Sequence, residues 1–204
     1  MKKLRLGVLA SGRGSNLQAI MDAIDEGRLA AEVVVVISDN GEAKALERAR
    51  LRGIPAIHIN PAQFPDKHTY EEAIVDTLKK HQVELVCLAG YMRLVGRVML
   101  ESFPNRIMNI HPALLPAFPG LHAQQRALEY GVRYSGCTVH FVDEGMDTGP
   151  IILQAVVPVL PDDTPETLAD RILEQEHRIY PEAIALFAAG RLELRGKRVY
   201  IKEA

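Results

Sequence analysis

Leu4-Arg5-Leu6-Gly7-Val8-Leu9-Ala10-Ser11-Gly12-Arg13-Gly14-Ser15-Asn16-Leu17-Gln18-Ala19-Ile20 decides the fold. From Lys3 to Leu9 apolar and polar residues alternate, as a strand requires. A glycine loop follows, and between Asn16 and Ile24 the residues Leu17, Ile20, Met21 and Ile24 recur on one helical face. Strand, loop and helix in this order open an α/β fold, and the first half of the chain repeats the pattern. Val33-Val34-Val35-Val36-Ile37 is apolar on both faces, the mark of a buried parallel strand. The stretch from Ala43 to Arg52 reads as a helix ended by Gly53, and Ala56 to Ile59 as a third strand. A helix from Lys67 to Lys80, a strand over Leu85-Val86-Cys87-Leu88, a short helix from Arg97 to Glu101 and a strand from Arg106 to Ile110 continue the alternation. Right-handed crossovers and a mostly parallel sheet follow from it.

The second half has another rhythm. A helix from Ala123 to Tyr130 precedes strands from Cys137 to Val142 and Ile151 to Val159, whose connection is short enough for antiparallel pairing. Thr164-Pro165 supplies an N-cap and a first-turn proline for a last long helix, predicted to break or kink at Pro181. Leu192 to Ile201, turning at Gly196-Lys197, predicts a terminal hairpin. The predicted fold is α/β and Rossmann-like, a mostly parallel sheet with helices on both faces and an antiparallel C-terminal portion. No repeat or linker divides residues 1–204, so one domain is expected.

With 204 residues, 48% of them hydrophobic and 25% charged, the chain can bury one substantial core. Twenty-four basic against 26 acidic residues give a net charge of -2, which argues against a nucleic-acid partner and leaves small anions open. The opening is basic, but Arg5 and Arg13 interrupt the apolar stretch before it reaches a signal-peptide length, and no apolar run is long enough to span a bilayer. Cys87 and Cys137, both in strand-like surroundings, read as reduced packing residues. A cytoplasmic protein without membrane contact is expected.

Ser11-Gly12-Arg13-Gly14-Ser15-Asn16 lies where backbone amides at a helix start can cradle a phosphate. A dinucleotide fingerprint fits poorly, because Leu17 stands where a third small residue belongs, and only Asp39 near the end of the second strand speaks for it. A bare strand-to-helix turn uses the same residues. Asn109-Ile110-His111-Pro112 and, 36 residues after the histidine, Asp147 in Asp143-Glu144-Gly145-Met146-Asp147-Thr148-Gly149-Pro150 supply an amide, an imidazole and a carboxylate. These three can stabilise an oxyanion and move a proton. A glycine-rich turn would account for the second segment alone. No serine has the flanks of a nucleophile elbow, so the attacking atom is expected to belong to a substrate, as in group transfer. Strand Arg106 to Ile110 should deliver Asn109 and His111 to the carboxyl edge of the sheet, and Pro112, Pro116 and Pro119 should hold the next segment extended. Tyr91-Met92-Arg93-Leu94-Val95 joins an apolar wall to a guanidinium suited to an anionic tail. His58, His111, His122 and His140 lack the spacing of a zinc pair and the Asp147 loop lacks a calcium pattern, so no metal is assigned.

Together, Ser11 to Ala19, Leu88-Ala89-Gly90-Tyr91-Met92-Arg93, Asn109 to Pro116 and Gly145 to Pro150 resemble the phosphoribosylglycinamide formyltransferase family. The resemblance extends to Gln175-Glu176-His177 and Tyr180-Pro181 and covers nearly the whole chain. It implies an enzyme of de novo purine biosynthesis that transfers the formyl group of 10-formyltetrahydrofolate to the amine of glycinamide ribonucleotide. It also implies a phosphate-binding half up to about residue 105 and a catalytic, folate-binding half from about residue 106. By resemblance Asn109 would bond the formyl oxygen, His111 would stabilise the oxyanion and donate a proton, and Asp147 would favour the imidazolium and organise proton transfer. Gly14, Ser15, Asn16, Leu173, Glu174, Gln175 and Glu176 would bind the ribonucleotide. Lys67, Met92, Arg93, Leu94, Val95, Asn109, Asp143, Glu144, Gly145, Met146 and Asp147 would line the folate site. Lys67 and Ala117 depart from the family's more frequent arginine and basic residue. The partners implied are these small molecules only, on a monomer or homodimer. Another folate-dependent formyltransferase, a formyltetrahydrofolate hydrolase and a non-catalytic nucleotide-binding module are the competing readings, and neither an extra tRNA-binding nor a regulatory domain is expected.

Overall fold

The computed structural model describes residues 2–204. The chain forms two compact units, one running to Asn109 and the other from Ile110 to Ala204.

The first unit contains β1 (Leu4–Leu9), α1 (Ser15–Asp25), β2 (Ala31–Ser38), α2 (Lys44–Leu51), β3 (Ala56–His58), α3 (Lys67–Lys80), β4 (Leu85–Leu88), α4 (Arg97–Ser102) and most of β5 (Ile107–His111). Its strands pair in parallel in the order β3-β2-β1-β4-β5. Leu6, Leu9, Leu17, Ile20, Ile37, Leu46, Ile74, Leu78 and Leu85 are fully buried. Of the helical face read from the sequence, Leu17, Ile20 and Met21 are buried and Ile24 is half-buried, whereas β1 is buried on both faces from Leu6 to Leu9 in place of the expected alternation. The sheet grows outward from β1 to β2 and β3, then restarts on the other side of β1 with β4. That reversal makes the β1–β4 boundary the switch point, where the loops after the two strands diverge and open α/β sheets hold ligands. Those loops are Ala10–Gly14 and Ala89–Gly96.

The second unit takes the last residues of β5 through a series of turns to α5 (Ala123–Tyr130), β6 (Tyr134–Phe141), β7 (Ile151–Pro158), α6 (Pro165–Ala188), β8 (Leu192–Arg195) and β9 (Arg198–Ile201). β6 and β7 are antiparallel, β9 joins β7 in parallel and β8 closes an antiparallel hairpin with β9. The register of β6 and β7 slips between Val139 and His140, a bulge beside the Asp147 loop.

Three further local expectations are corrected. α6 runs unbroken through Pro181. Proline there removes one helical hydrogen bond, but Ile172, Ile179, Tyr180 and Ile184 bury one face of the helix, which packs on β6 and β7 and outweighs the loss. The segment holding Pro112, Pro116 and Pro119 is not extended; it coils through successive turns, with a cis Leu115–Pro116 peptide and a left-handed Phe118. β6 also begins three residues before its predicted start, because Gly136 allows the β7 backbone to come close: a Cβ there would lie 1.9 Å from the Ala155 carbonyl oxygen. Among the described residues no helix is long and apolar enough to cross a membrane.

Candidate active site

In the first unit the glycine loop is fastened by α2. Ala45 N–H donates to Gly12 O at 3.1 Å, and the Arg48 guanidinium donates to Arg13 O at 2.8 Å. Gly14 is the N-cap of α1 at φ 71°, and a Cβ on it would meet Ala45 Cα at 2.8 Å. Glycine is required there twice over, by backbone hand and by space. Gly14 brings no side chain to cap the helix, so the first amides of α1 remain directed at whatever occupies the loop. Asn16 is buried and its Oδ1 has no hydrogen-bond partner, an acceptor placed for a ligand hydroxyl or amine.

Asp39 is not available to a dinucleotide ribose. Its Oδ1 accepts the Ser11 hydroxyl at 2.6 Å and its Oδ2 accepts Arg93 Nε at 2.9 Å. The guanidinium predicted to meet an anion is thus anchored at one edge, and it also lies 5.7 Å over the Tyr70 ring. Met92 and Leu94 flank it with 65% and 57% of their surface exposed, whereas Val95 is buried. Two large exposed apolar side chains around one cation suit a flat ring with an acidic tail. Lys67 is brought to the same segment. Its Cε would lie 3.0 Å from a Cβ on Gly96, and its Nζ is 3.9 Å from the buried Glu71, which accepts the Gly96 N–H at 2.6 Å. Asn109 sits on β5 in register with Leu88 of β4.

In the second unit His111, at the end of β5, is buried. Its Nε2 is 2.8 Å from the Phe118 carbonyl, which can only accept, so Nε2 carries a proton. Its Nδ1 is 3.5 Å from Asp147 Oδ2. Both ring nitrogens therefore face acceptors. Phe118 is fixed edge-on against Tyr130, and Arg126 donates to the Pro119 carbonyl at 2.5 Å. Asp147 lies at φ 54°, and its Oδ2 also accepts the Gly120 N–H at 2.7 Å. The other oxygen is 3.8 Å from His140 Nε2. Burial pushes the His140 imidazole below its ordinary range, while the Phe141 carbonyl and the Asp147 charge oppose the shift.

Thr138 of β6 ties the turns after β5. Its hydroxyl donates to Ala113 O at 2.7 Å and accepts the Leu115 N–H at 3.1 Å and Gln154 Nε2 at 3.0 Å. Asp143 accepts from Gly145 N–H and the Thr148 hydroxyl, which closes the Asp147 loop on itself. Glu144 and Gly145 are exposed there, and Met146 is half-exposed beside Gly120. On α6 Glu174 is exposed, Leu173 and Gln175 are half-buried and Glu176 is buried. Desolvation, followed by the Glu176 charge, pushes the Cys137 thiol up to about 12, so it is an inert packing group. Ala117 is exposed in the turn segment. Among the described residues no group of three or more His, Cys, Asp or Glu is placed to hold a metal ion.

Sequence reasoning missed the Phe118 carbonyl, the Gly120 amide and the second imidazole at His140. Backbone groups carry no residue signature, and His140 was weighed only as a metal ligand, for which its spacing to the other histidines does not fit.

Residues 4–184 match the sequence profile of the formyl transferase family. The chain is 46% identical to phosphoribosylglycinamide formyltransferase of Bacillus subtilis over 90% of its own length and 93% of the relative's. It is 50% identical to the trifunctional purine biosynthetic protein adenosine-3 of Drosophila pseudoobscura pseudoobscura; the match takes in 92% of the chain but only 14% of that much longer protein. The crystal structure of glycinamide ribonucleotide transformylase 1 from Symbiobacterium toebii superposes with a TM-score of 0.98 at 59% identity, covering 99% of this chain and 95% of that one.

Proposed function

The chain belongs to the formyl transferase family, and from that premise we propose that it transfers the formyl group of 10-formyltetrahydrofolate to the amine of glycinamide ribonucleotide. The relatives named for this reaction are similar over nearly the full length of both chains. One observation in the site carries the reading furthest: His111 is held between the Phe118 carbonyl and Asp147 with Nδ1 too far from the carboxylate for a short hydrogen bond. Nδ1 is thereby placed beside the carboxylate without a short bond to it, free to turn its contact to a substrate oxygen.

The substrate amine is the nucleophile and adds to the formyl carbon. Negative charge grows on the formyl oxygen, where the Asn109 amide and the His111 Nδ1–H donate to it. The amine gives up a proton as the new C–N bond forms, and the folate nitrogen takes one as its bond to the carbon breaks. His111, backed by Asp147, carries that exchange. Asn109 precedes His111 by two residues on β5, the spacing that turns two side chains to one face of a strand. The amides of Gly14, Ser15 and Asn16 hold the ribonucleotide phosphate, and Leu173, Glu174, Gln175 and Glu176 meet the rest of that substrate. Lys67, the segment Met92–Val95 and the segment Asp143–Asp147 receive the folate, whose apolar ring suits Met92 and Leu94 and whose acid tail suits Arg93. This reading carries a cytoplasmic location with it.

The test is a coupled assay with both substrates, following tetrahydrofolate release. Release that depends on the ribonucleotide is expected. Release of formate without it would replace the reading with a hydrolase, and ribonucleotide binding without any release would leave a binding module.

A further inference from the structure

We propose that Asp39 is a positioning residue that ties the phosphate-binding loop to the folate-facing segment, so that filling one ligand site readies the other. The identity of the two ligands rests on the proposed function; the tie itself rests on four contacts within the first unit. Ser11 N–H donates to Gly90 O at 3.0 Å, and the Met92 N–H donates to the Ser11 hydroxyl oxygen at 2.9 Å. That hydroxyl has a single proton, which goes to Asp39 Oδ1 at 2.6 Å, and Asp39 Oδ2 takes Arg93 Nε at 2.9 Å. The result is a continuous relay, Met92 N–H to Ser11 to Asp39 to Arg93, in which every group is oriented by the next.

The ends of the relay fall in the two ligand segments. Ser11 is three residues before Gly14, and Met92 and Arg93 are the apolar and cationic parts of the folate-facing stretch. Asp39 belongs to neither. It follows β2, the neighbour of β1, and only 12% of its side chain is exposed, so water competes poorly for its bonds. With Nε held by Asp39 and 47% of its side chain exposed, the Arg93 guanidinium keeps an Nη edge with which to grip a carboxylate. The mechanism of coupling is ordering. A phosphate seated on the loop immobilises Ser11, which fixes Asp39 and hence Arg93; the folate then binds a guanidinium already set in place and forfeits less conformational entropy. Linkage requires the reverse effect to be equal.

Calorimetry on the full chain tests this with tetrahydrofolate, which has no formyl group to transfer. Its dissociation constant is measured with and without saturating glycinamide ribonucleotide. The ribonucleotide should tighten it by about tenfold in the parent, within the usual range of coupling. Asp39→Asn keeps an oxygen for Ser11 but removes the charge from Arg93, and should reduce that factor to about threefold or less; Asp39→Ala should abolish it. In steady state both variants should raise KM for both substrates while kcat changes little, a split that general unfolding does not give. If the Asp39 variants fold poorly, Ser11→Ala breaks the same relay with a smaller change and should show the same loss of coupling. Equal tightening in parent and variants, or none in the parent, overturns the proposal. A parent that binds neither ligand, or transfers no formyl group, overturns the proposed function instead.

Discussion

Asp147 holds the backbone of Gly120 with the same carboxylate oxygen that faces His111: Oδ2 takes the Gly120 N–H at 2.7 Å and lies 3.5 Å from the imidazole Nδ1. One atom thus serves as a clasp for the turn after β5 and as the counter-charge of the proton-carrying ring.

Two variants separate these roles. Asp147→Asn retains an oxygen for Gly120 and loses the charge; Asp147→Ala loses both. Formyl transfer in single-turnover experiments should fall on the order of 10²–10³ in each, but only the alanine variant should melt at clearly lower temperature, since it alone leaves the Gly120 amide unpaired. An asparagine variant within about fivefold of the parent rate would reduce the carboxylate to a clasp.

His111→Ala and Asn109→Ala should each cost on the order of 10²–10³ in transfer with ligand binding largely kept. The histidine variant also strands the Phe118 carbonyl, so its thermal midpoint should drop while circular dichroism stays native. Near-normal turnover in both purified proteins would remove these residues from the chemistry.

Gly14→Ala and Gly12→Ala form a pair. Alanine at 14 must adopt a left-handed backbone, at about 1–2 kcal/mol, and its Cβ would push on Ala45. A Cβ on Gly12 meets nothing within 4 Å. Calorimetry should show ribonucleotide affinity falling by about tenfold or more at 14, with little change in folate affinity, and both nearly unchanged at 12. Equal weakening of both ligands at 14 would instead indicate that the loop is not the phosphate site.

Thr138→Val preserves shape and removes the hydroxyl that joins Ala113, Leu115 and Gln154. Each buried group left unpaired costs about 1–3 kcal/mol, so a thermal midpoint lower by roughly 4–10 °C is expected. A melt unchanged by the substitution would mean that the turns hold without this tie.

Acid should weaken the fold through His140. Its folded-state value lies below the ordinary one because of burial, so between the two the unfolded chain binds the extra proton. Stability therefore falls as pH drops through about 6.5, levels off below the folded value and is unaffected above. Urea midpoints measured from about pH 7.5 to about pH 5 should decline more steeply in the parent than in His140→Gln. Parallel curves would contradict this.

Much of the layout was legible because periodicity reports burial. Lys67–Lys80 and Leu85–Leu88 form with the bounds read from the sequence, and the polar trio was marked by residue type and spacing. What escaped was set by tertiary context. The apolar face of α6 overrides Pro181, and the proline-rich stretch coils because Thr138, more than 20 residues away, ties its backbone. The Ser11–Asp39–Arg93 relay is equally silent in the sequence, since its members are 28 and 54 residues apart and meet only once β2 and β4 flank β1.

The close approach at the end of the Asp147 loop bears on how this region can change over generations. A Cβ on Gly149 would lie 1.7 Å from the Phe141 carbonyl oxygen, so the chain must re-enter β7 through a residue without a side chain. Exchanges should therefore accumulate at the exposed Glu144, while Gly145 is held as well, since a Cβ there would lie 2.0 Å from the Thr148 hydroxyl oxygen. Between Asp147 and Gly149 there is no such slack, and a single added residue would swing the carboxylate off the imidazole. Drift is thus confined to a single position of the loop, and a library that randomises the whole of it would spend most of its members on residues that cannot vary.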